Sequence, residues 1–141
     1  MTAVVERWAL DMFVPGRAAP QGSKRHVGGG IMVESSKAVG PWRTVVAWFA
    51  AQAWQSPPLE GAVAVVYEFV MPRPSGTPKK STPPAVKRPD IEKLARAVSD
   101  ALSDIVWRDD SQVVDMRLIK RLAELDEQPG MRVQVRPLET S

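Results

Sequence analysis

Residues 87–122 read KRPDIEKLARAVSDALSDIVWRDDSQVVDMRLIKRL, and the spacing of their apolar residues changes from helical to alternating part-way along. From Ile91 to Leu102 apolar residues recur every three or four positions, which predicts an amphipathic helix with Asp90 as its N-cap. Over residues 112–122 they alternate with polar residues, which predicts a strand. The segment is therefore expected to be a helix followed by a strand, with acidic residues at the start of each.

The sequence on either side predicts a second helix and further strands. Helical spacing after Gly40 and Pro41 indicates a helix that ends near residue 55. Alternation and short apolar runs indicate four more strands, at residues 6–14, 31–34, 62–71 and 131–136. The last two strands of the chain are expected to pair as an antiparallel hairpin. The predicted fold class is α+β: a small mixed β-sheet of about four strands with two main helices.

Composition excludes several kinds of site. The 141 residues predict a single domain over 1–141, and the absence of cysteine excludes disulfides, cysteine-ligated metals and thiol catalysis. One histidine, His26, leaves almost nothing for a catalytic triad or a multi-histidine metal site. A metal site would need carboxylates, which favour hard ions such as magnesium or manganese. No membrane span or signal peptide is predicted, since the longest uncharged stretch, 44–59, is too short and too polar.

Charge is distributed unevenly around the central helix. Residues 72–89 contain six prolines, five basic residues and no acidic one, so we expect a basic Pro-rich loop that is mobile when unbound. Residues 90–110 contain six acidic and three basic residues. A basic segment that runs into an acidic one suggests a polyanionic partner, although a solvated linker beside a solvated helix would have the same composition.

The acidic residues define a candidate metal site. Asp90 and Glu92 lie at the start of the helix, and Asp109 and Asp110 lie at the start of the strand. The helix between them spans roughly 21 Å, so the chain must return for the two ends to meet. If they meet, four carboxylates so close together require a cation, and magnesium would satisfy them. The alternative is a capping aspartate and an ordinary polar turn.

The same segment resembles the RusA family of Holliday-junction resolvases, which are common on phages and prophages. The family pattern is Pro-Asp-x-Asp-Asn-Leu-x-Lys, then Asp-Ala-Leu, then a hydrophobic pair before Asp-Asp-x-Gln-Val, and a later lysine. The matching residues are Pro89, Asp90, Leu94, Asp100, Ala101, Leu102, Val106, Trp107, Asp109, Asp110, Gln112, Val113 and Lys120. The early VPGRAAPQGSKRH also resembles the family's first strand and basic loop. Glu92, Lys93 and Arg96 depart from the pattern, where the family has aspartate, asparagine and the active-site lysine.

The resemblance implies a magnesium-dependent, structure-selective endodeoxyribonuclease, with Mn²⁺ able to replace Mg²⁺. Its substrate would be branched DNA, above all the four-way (Holliday) junction, cut by paired nicks from a homodimer in the cytoplasm of a bacterial host. No membrane and no nucleotide cofactor are expected. The implied catalytic residues are Asp90, Glu92, Asp110 and Arg96. The implied metal ligands are Asp90, Glu92, Asp109 and Asp110.

Basic residues near the acidic site are the candidates for DNA contact, because an acidic centre repels the phosphate backbone unless cations recruit it. The candidates are Lys24, Arg25, Lys87, Arg88 and Lys120. His26 is interpreted as polar surface, and Trp107 as a core or interface residue rather than a base-stacking wedge. Two other functions fit the same residues: a catalytically weakened or inactive module that binds branched DNA, and a nuclease that prefers flaps or forks.

Overall fold

The computed structural model describes residues 7–22, 24–26, 32–34 and 37–138. In chain order its elements are β1 Leu10–Pro15, β2 Lys24–His26, β3 Met32–Glu34, α1 Val39–Ala53, β4 Val63–Met71, α2 Ile91–Leu102, a single 3-10 turn at Asp110–Gln112, β5 Val113–Leu122 and β6 Gly130–Pro137. Both helices and the strands β4 to β6 begin within two residues of their predicted positions. The first strand is shorter than predicted and begins at Leu10.

The strands form one four-stranded mixed sheet and one small hairpin. The sheet order is β1-β6-β4-β5, and β4 pairs parallel to β5 but antiparallel to β6. β2 and β3 pair separately as two antiparallel strands. This arrangement, with two helices, confirms the predicted α+β fold class and its mixed sheet of about four strands.

The predicted hairpin between the last two strands is wrong. β5 and β6 lie on opposite sides of β4. α2 connects β4 to β5, and a helical crossover returns the chain in the same direction, so β5 is parallel to β4. β6 buries Met131, Val133 and Val135 completely, whereas β5 buries only Leu122 and has four exposed residues. The more apolar strand, β6, therefore lies inside the sheet, where β1 and β4 provide backbone hydrogen-bond partners on its two sides. β5 is an edge strand.

The two helices and the sheet share one hydrophobic core. The apolar stripe of α2, formed by Leu94, Val98 and Leu102, is fully buried and belongs to the same cluster as the inward residues of β1, β4 and β6. Burying each such leucine contributes about 1.5–3 kcal/mol, so the core fixes how α2 is rotated. Its polar face, which carries Glu92 and Arg96, consequently points away from the core.

The Pro-rich segment between β4 and α2 is anchored at both ends. Arg73 donates hydrogen bonds to the Thr82 hydroxyl (3.0 Å) and to three backbone carbonyls. At the other end the Lys120 ammonium group on β5 donates to the carbonyls of Lys87 (3.0 Å) and Pro89 (2.8 Å). These bonds fix where the segment enters and leaves the sheet. The mobility expected between those anchors remains a prediction.

Candidate active site

An open cleft of about 710 Å³ runs between α2 and β5. Glu92, Arg96 and Asp100 line it from α2, and Asp110 lines it from the 3-10 turn. The three helical residues are four apart, so they lie one above another on a single face. Three carboxylates and one guanidinium group therefore face the same cleft.

The cleft shows how far the two acidic ends approach each other. Asp110 lies at the Asp100 end of α2, close enough for the charge of Asp100 to raise the pKa of Asp110. Glu92 is eight residues earlier on the helix, a rise of about 12 Å. The predicted cluster of four carboxylates is thus spread along the helix. Among the residues that the structure describes, no three acidic or histidine side chains are close enough to bind one metal ion.

Asp110 is held by a buried tryptophan. The indole Nε1 of Trp107 donates a hydrogen bond of 2.9 Å to Asp110 Oδ1, and Trp107 is 0% exposed. This burial confirms that Trp107 is a core residue. Loss of hydration raises the pKa of Asp110, the Trp107 hydrogen bond opposes that rise, and the charges of Asp100 and Asp109 add to it. The Asp110 carboxylate is therefore fixed in direction, and within the described residues it forms no ion pair.

Asp109 has a different environment from Asp110. Its Oδ2 accepts hydrogen bonds from the backbone N–H (2.9 Å) and the hydroxyl of Ser111, which lower its pKa. The Gln112 side chain completes a capping box by accepting from the Asp109 N–H (2.8 Å). Gln112 also donates to the carbonyls of Leu59 (2.7 Å) and Gly61 (2.9 Å). The Asp-Asp-x-Gln sequence is thus a locked turn that presents Asp110, and metal ligation by Asp109 remains a prediction.

Asp90 caps α2, as the sequence predicted, by accepting a hydrogen bond of 3.0 Å from the Glu92 N–H. It lines a second groove, of about 730 Å³, rather than the cleft with Asp110. Lys120 supports this end of the helix through its two bonds to the preceding carbonyls. That anchoring role was not predicted from the sequence, which had suggested a DNA contact.

The remaining predicted DNA contacts divide into two groups. Lys87 and Arg88 are exposed beside the helix start. Lys24 and Arg25 belong to β2, but their side chains lie outside the described residues, as does that of His26. Their contact with DNA remains a prediction.

Two residues of the site, Asp100 and Arg43, were not predicted from the sequence. Arg43 on α1 lies 3.5 Å from Asp100 Oδ2 and donates to the Gln21 side chain at 3.3 Å. Asp100 was noted only as part of the Asp-Ala-Leu match. Its spacing of four from Arg96 and eight from Glu92 was the signal that it shares their face. Arg43 had no local signal, because it arrives from another helix.

The donor set suits a hard divalent cation. The cleft offers only carboxylate oxygens as anionic ligands, which are the ligands that Mg²⁺ and Mn²⁺ prefer. Burial is the main cause of the raised pKa of Asp110, and the charges of Asp100 and Asp109 add to it; a bound cation would stabilise the carboxylate against both effects. Since the carboxylates are spread along α2, an ion bound by this chain alone would contact few of them and keep several waters.

The fold and the cleft together define a class: a small α+β protein whose mixed sheet and single crossover helix present an acidic cleft beside exposed basic residues. Residues 15–136 match the family described as "Endodeoxyribonuclease RusA". The chain belongs to the RusA endodeoxyribonuclease family.

A curated relative carries no functional description in its name. The chain is 33% identical over 73 residues to "Uncharacterized protein YqaN" of Bacillus subtilis (strain 168). That similarity covers 47% of this chain, and the chain spans about half the length of this relative, 49%. None of the helices within the described part of the chain is long and apolar enough to cross a membrane.

Proposed function

We propose that this chain is a Mg²⁺-dependent endodeoxyribonuclease that resolves four-way DNA junctions, acting as a homodimer that places paired nicks in the cytoplasm of a bacterial host. The observation that carries the proposal is the cleft in which Glu92, Asp100 and Asp110 face Arg96, in a chain of the RusA family. Carboxylates supply metal ligands, and the guanidinium group supplies a phosphate contact, which are the two requirements of metal-assisted phosphodiester hydrolysis.

Each residue of the cleft has a part in this proposal. Asp110 and Asp100 would hold Mg²⁺ together with several waters, while Glu92 lines the same cleft about two turns away on α2 and Asp90 lies in the adjoining groove. The bound ion would supply an activated water and neutralise charge on the phosphate. Arg96 would bind the non-bridging oxygens of the scissile phosphate through two parallel N–H groups. Trp107 keeps the Asp110 carboxylate turned into the cleft.

The homodimer follows from the need for two cuts. The described residues of one chain form one such cleft, and resolution of a junction requires a nick in each of two opposing strands. A junction has approximate two-fold symmetry, so a two-fold dimer would present two equal clefts to those strands. This part of the proposal is tested by mass measurement in solution, where a monomer at all working concentrations would contradict it.

The proposal is tested by a nicking assay on a synthetic four-way junction, with a linear duplex of the same sequence as control. We expect nicks on the junction only, dependent on added Mg²⁺ or Mn²⁺. Asp110→Asn should abolish them, since it removes a ligand. Asp115→Asn is the matched control, because Asp115 lies on the opposite face of the sheet, next to Arg117.

The outcomes separate the alternatives. Equal activity in the Asp110 and Asp115 variants would refute the assigned site. Binding without cleavage, together with no Mn²⁺ uptake in calorimetry, would identify an inactive branched-DNA-binding module. Faster cutting of flaps or forks than of junctions would identify the third candidate, since substrate geometry alone distinguishes it.

A further inference from the structure

A second groove adjoins the acidic cleft and has the opposite charge. It has a volume of about 730 Å³, and three cations from three separate segments line it: Arg17 after β1, Arg88 at the end of the Pro-rich segment, and Lys93 on α2. Gln21 and Gly22 line both the groove and the cleft. The two cavities therefore share a wall and form one continuous surface around the start of α2.

The groove is built into the fold. Ala18 and Ala19, which line it, are buried at 3% and 4% exposure. The Gln21 N–H donates a hydrogen bond of 2.9 Å to the Lys93 carbonyl, which ties the segment after β1 to α2. Arg17 and Lys93 are therefore held on neighbouring segments rather than on independent loops.

The cations of this groove differ from four arginines elsewhere in the protein. Arg43, Arg108, Arg121 and Arg132 each form an ion pair with a carboxylate. Within the described residues, by contrast, Arg17, Arg88 and Lys93 form no ion pair, although Asp90 lines the same groove. Cations gathered in one groove without internal neutralisation favour an anionic ligand that spans several charges.

We infer that this groove binds the phosphodiester backbone of the DNA strand next to the scissile phosphate, with Arg17 and Lys93 as its contacts. This inference rests on the proposed function. The acidic cleft repels DNA until a cation occupies it, so neighbouring phosphates need a separate binding surface. The groove offers that surface across the shared wall at Gln21 and Gly22. Lys93 is notable because the family pattern has an uncharged asparagine there, so part of this charge is specific to this chain.

The test measures binding to four-way junctions of two unrelated sequences over a series of salt concentrations, without divalent ions, so that no cleavage occurs. The variants are Arg17→Ala and Lys93→Asn. Arg117→Ala is the matched control, because Arg117 is exposed on the opposite face of the sheet. Each groove variant should reduce the slope of log affinity against log salt by about one unit, equally for both sequences, while the control leaves it unchanged.

Unchanged slopes in the groove variants, with wild-type protein that binds and nicks junctions, would overturn this inference alone. Equal losses in Arg117→Ala would also overturn it, because they would reflect net charge rather than the groove. A glutamate-rich peptide that binds more tightly than junction DNA, in a manner that depends on Arg17 and Lys93, would assign the groove to a protein partner instead. Wild-type protein that neither binds nor nicks any DNA would refute the proposed function and this inference together.

Discussion

Replacing Trp107 with phenylalanine should weaken both metal binding and the fold. The substitution keeps an aromatic ring in the core but removes the N–H that donates to Asp110 Oδ1 at 2.9 Å. A hydrogen bond to a charged acceptor contributes about 1.5–3 kcal/mol. Because Asp110 is exposed on its outer side, water can replace part of that bond, and about 1–2 kcal/mol should remain measurable. Loss of ring volume at this fully buried position adds about 1 kcal/mol.

Trp42→Phe is the matched control. Trp42 is 5% exposed and loses the same atoms, but its indole N–H is buried with no hydrogen-bond partner in the described structure. Removing an unsatisfied donor offsets the loss of packing, so this variant should be nearly neutral. In thermal unfolding, the free energy of unfolding of Trp107→Phe should therefore be about 2–3 kcal/mol below that of the wild type, and that of Trp42→Phe should lie within about 1 kcal/mol of it.

Metal binding gives the second readout. Residues that orient a metal ligand typically change metal affinity by about 10–100-fold, so calorimetry should show a loss of at least about tenfold for Mn²⁺ in Trp107→Phe and none in Trp42→Phe. A double-mutant cycle of Trp107→Phe with Asp110→Asn should give a coupling energy in unfolding of about 1–2 kcal/mol. A coupling near zero, or equal metal affinity in both tryptophan variants, would show that the indole does not position Asp110.

Three other predictions concern stability and the family departures. Gly130→Ala should destabilise the protein by more than about 2 kcal/mol, because a methyl group there would collide with a backbone carbonyl and an aromatic ring of β1. Chemical denaturation measures this loss. Gly61→Ala is the control and should be neutral, because the space around Gly61 is open. The pKa of Glu127 is lowered to about 2 by Arg121, so this pair stabilises the fold above pH 4.5 and loses its effect as the pH falls towards 2. Glu127→Gln should therefore reduce, by up to about 1 kcal/mol, the loss in free energy of unfolding between pH 4.5 and pH 2. A variant that loses as much stability over this range as the wild type would contradict the prediction. Glu92→Asp should retain nicking activity because it restores the family's aspartate, whereas Glu92→Gln should lose most of it; equal rates in both would show that Glu92 serves only as a helix N-terminal charge.

A helix or strand could be predicted from the sequence wherever the spacing of its own apolar residues was enough to identify it. The apolar stripe of α2 and the alternation in β4 were sufficient to place both elements to within about two residues, because each buries one face against the core. The order of the strands was not predictable in the same way. Pairing of β6 with β1 and β4 depends on which strand is apolar enough for the centre of the sheet, and that is a comparison between strands rather than a property of one.

The candidate site likewise has parts that depend on local sequence and parts that depend on how the elements pack together. Asp90 as a helix cap, and the Asp-Asp-x-Gln sequence as a turn, are local features that the sequence contains in full. The cleft depends instead on how α2 lies against β5. This packing puts Asp110 beside Asp100, two turns from Glu92, so the carboxylates form a row along the helix rather than a cluster at its start. A row of acidic groups flanked by a basic groove matches an extended ligand better than a compact one. For a nuclease of this family, the physical consequence is that strand position along α2, and not only metal affinity, should determine which phosphate is cut.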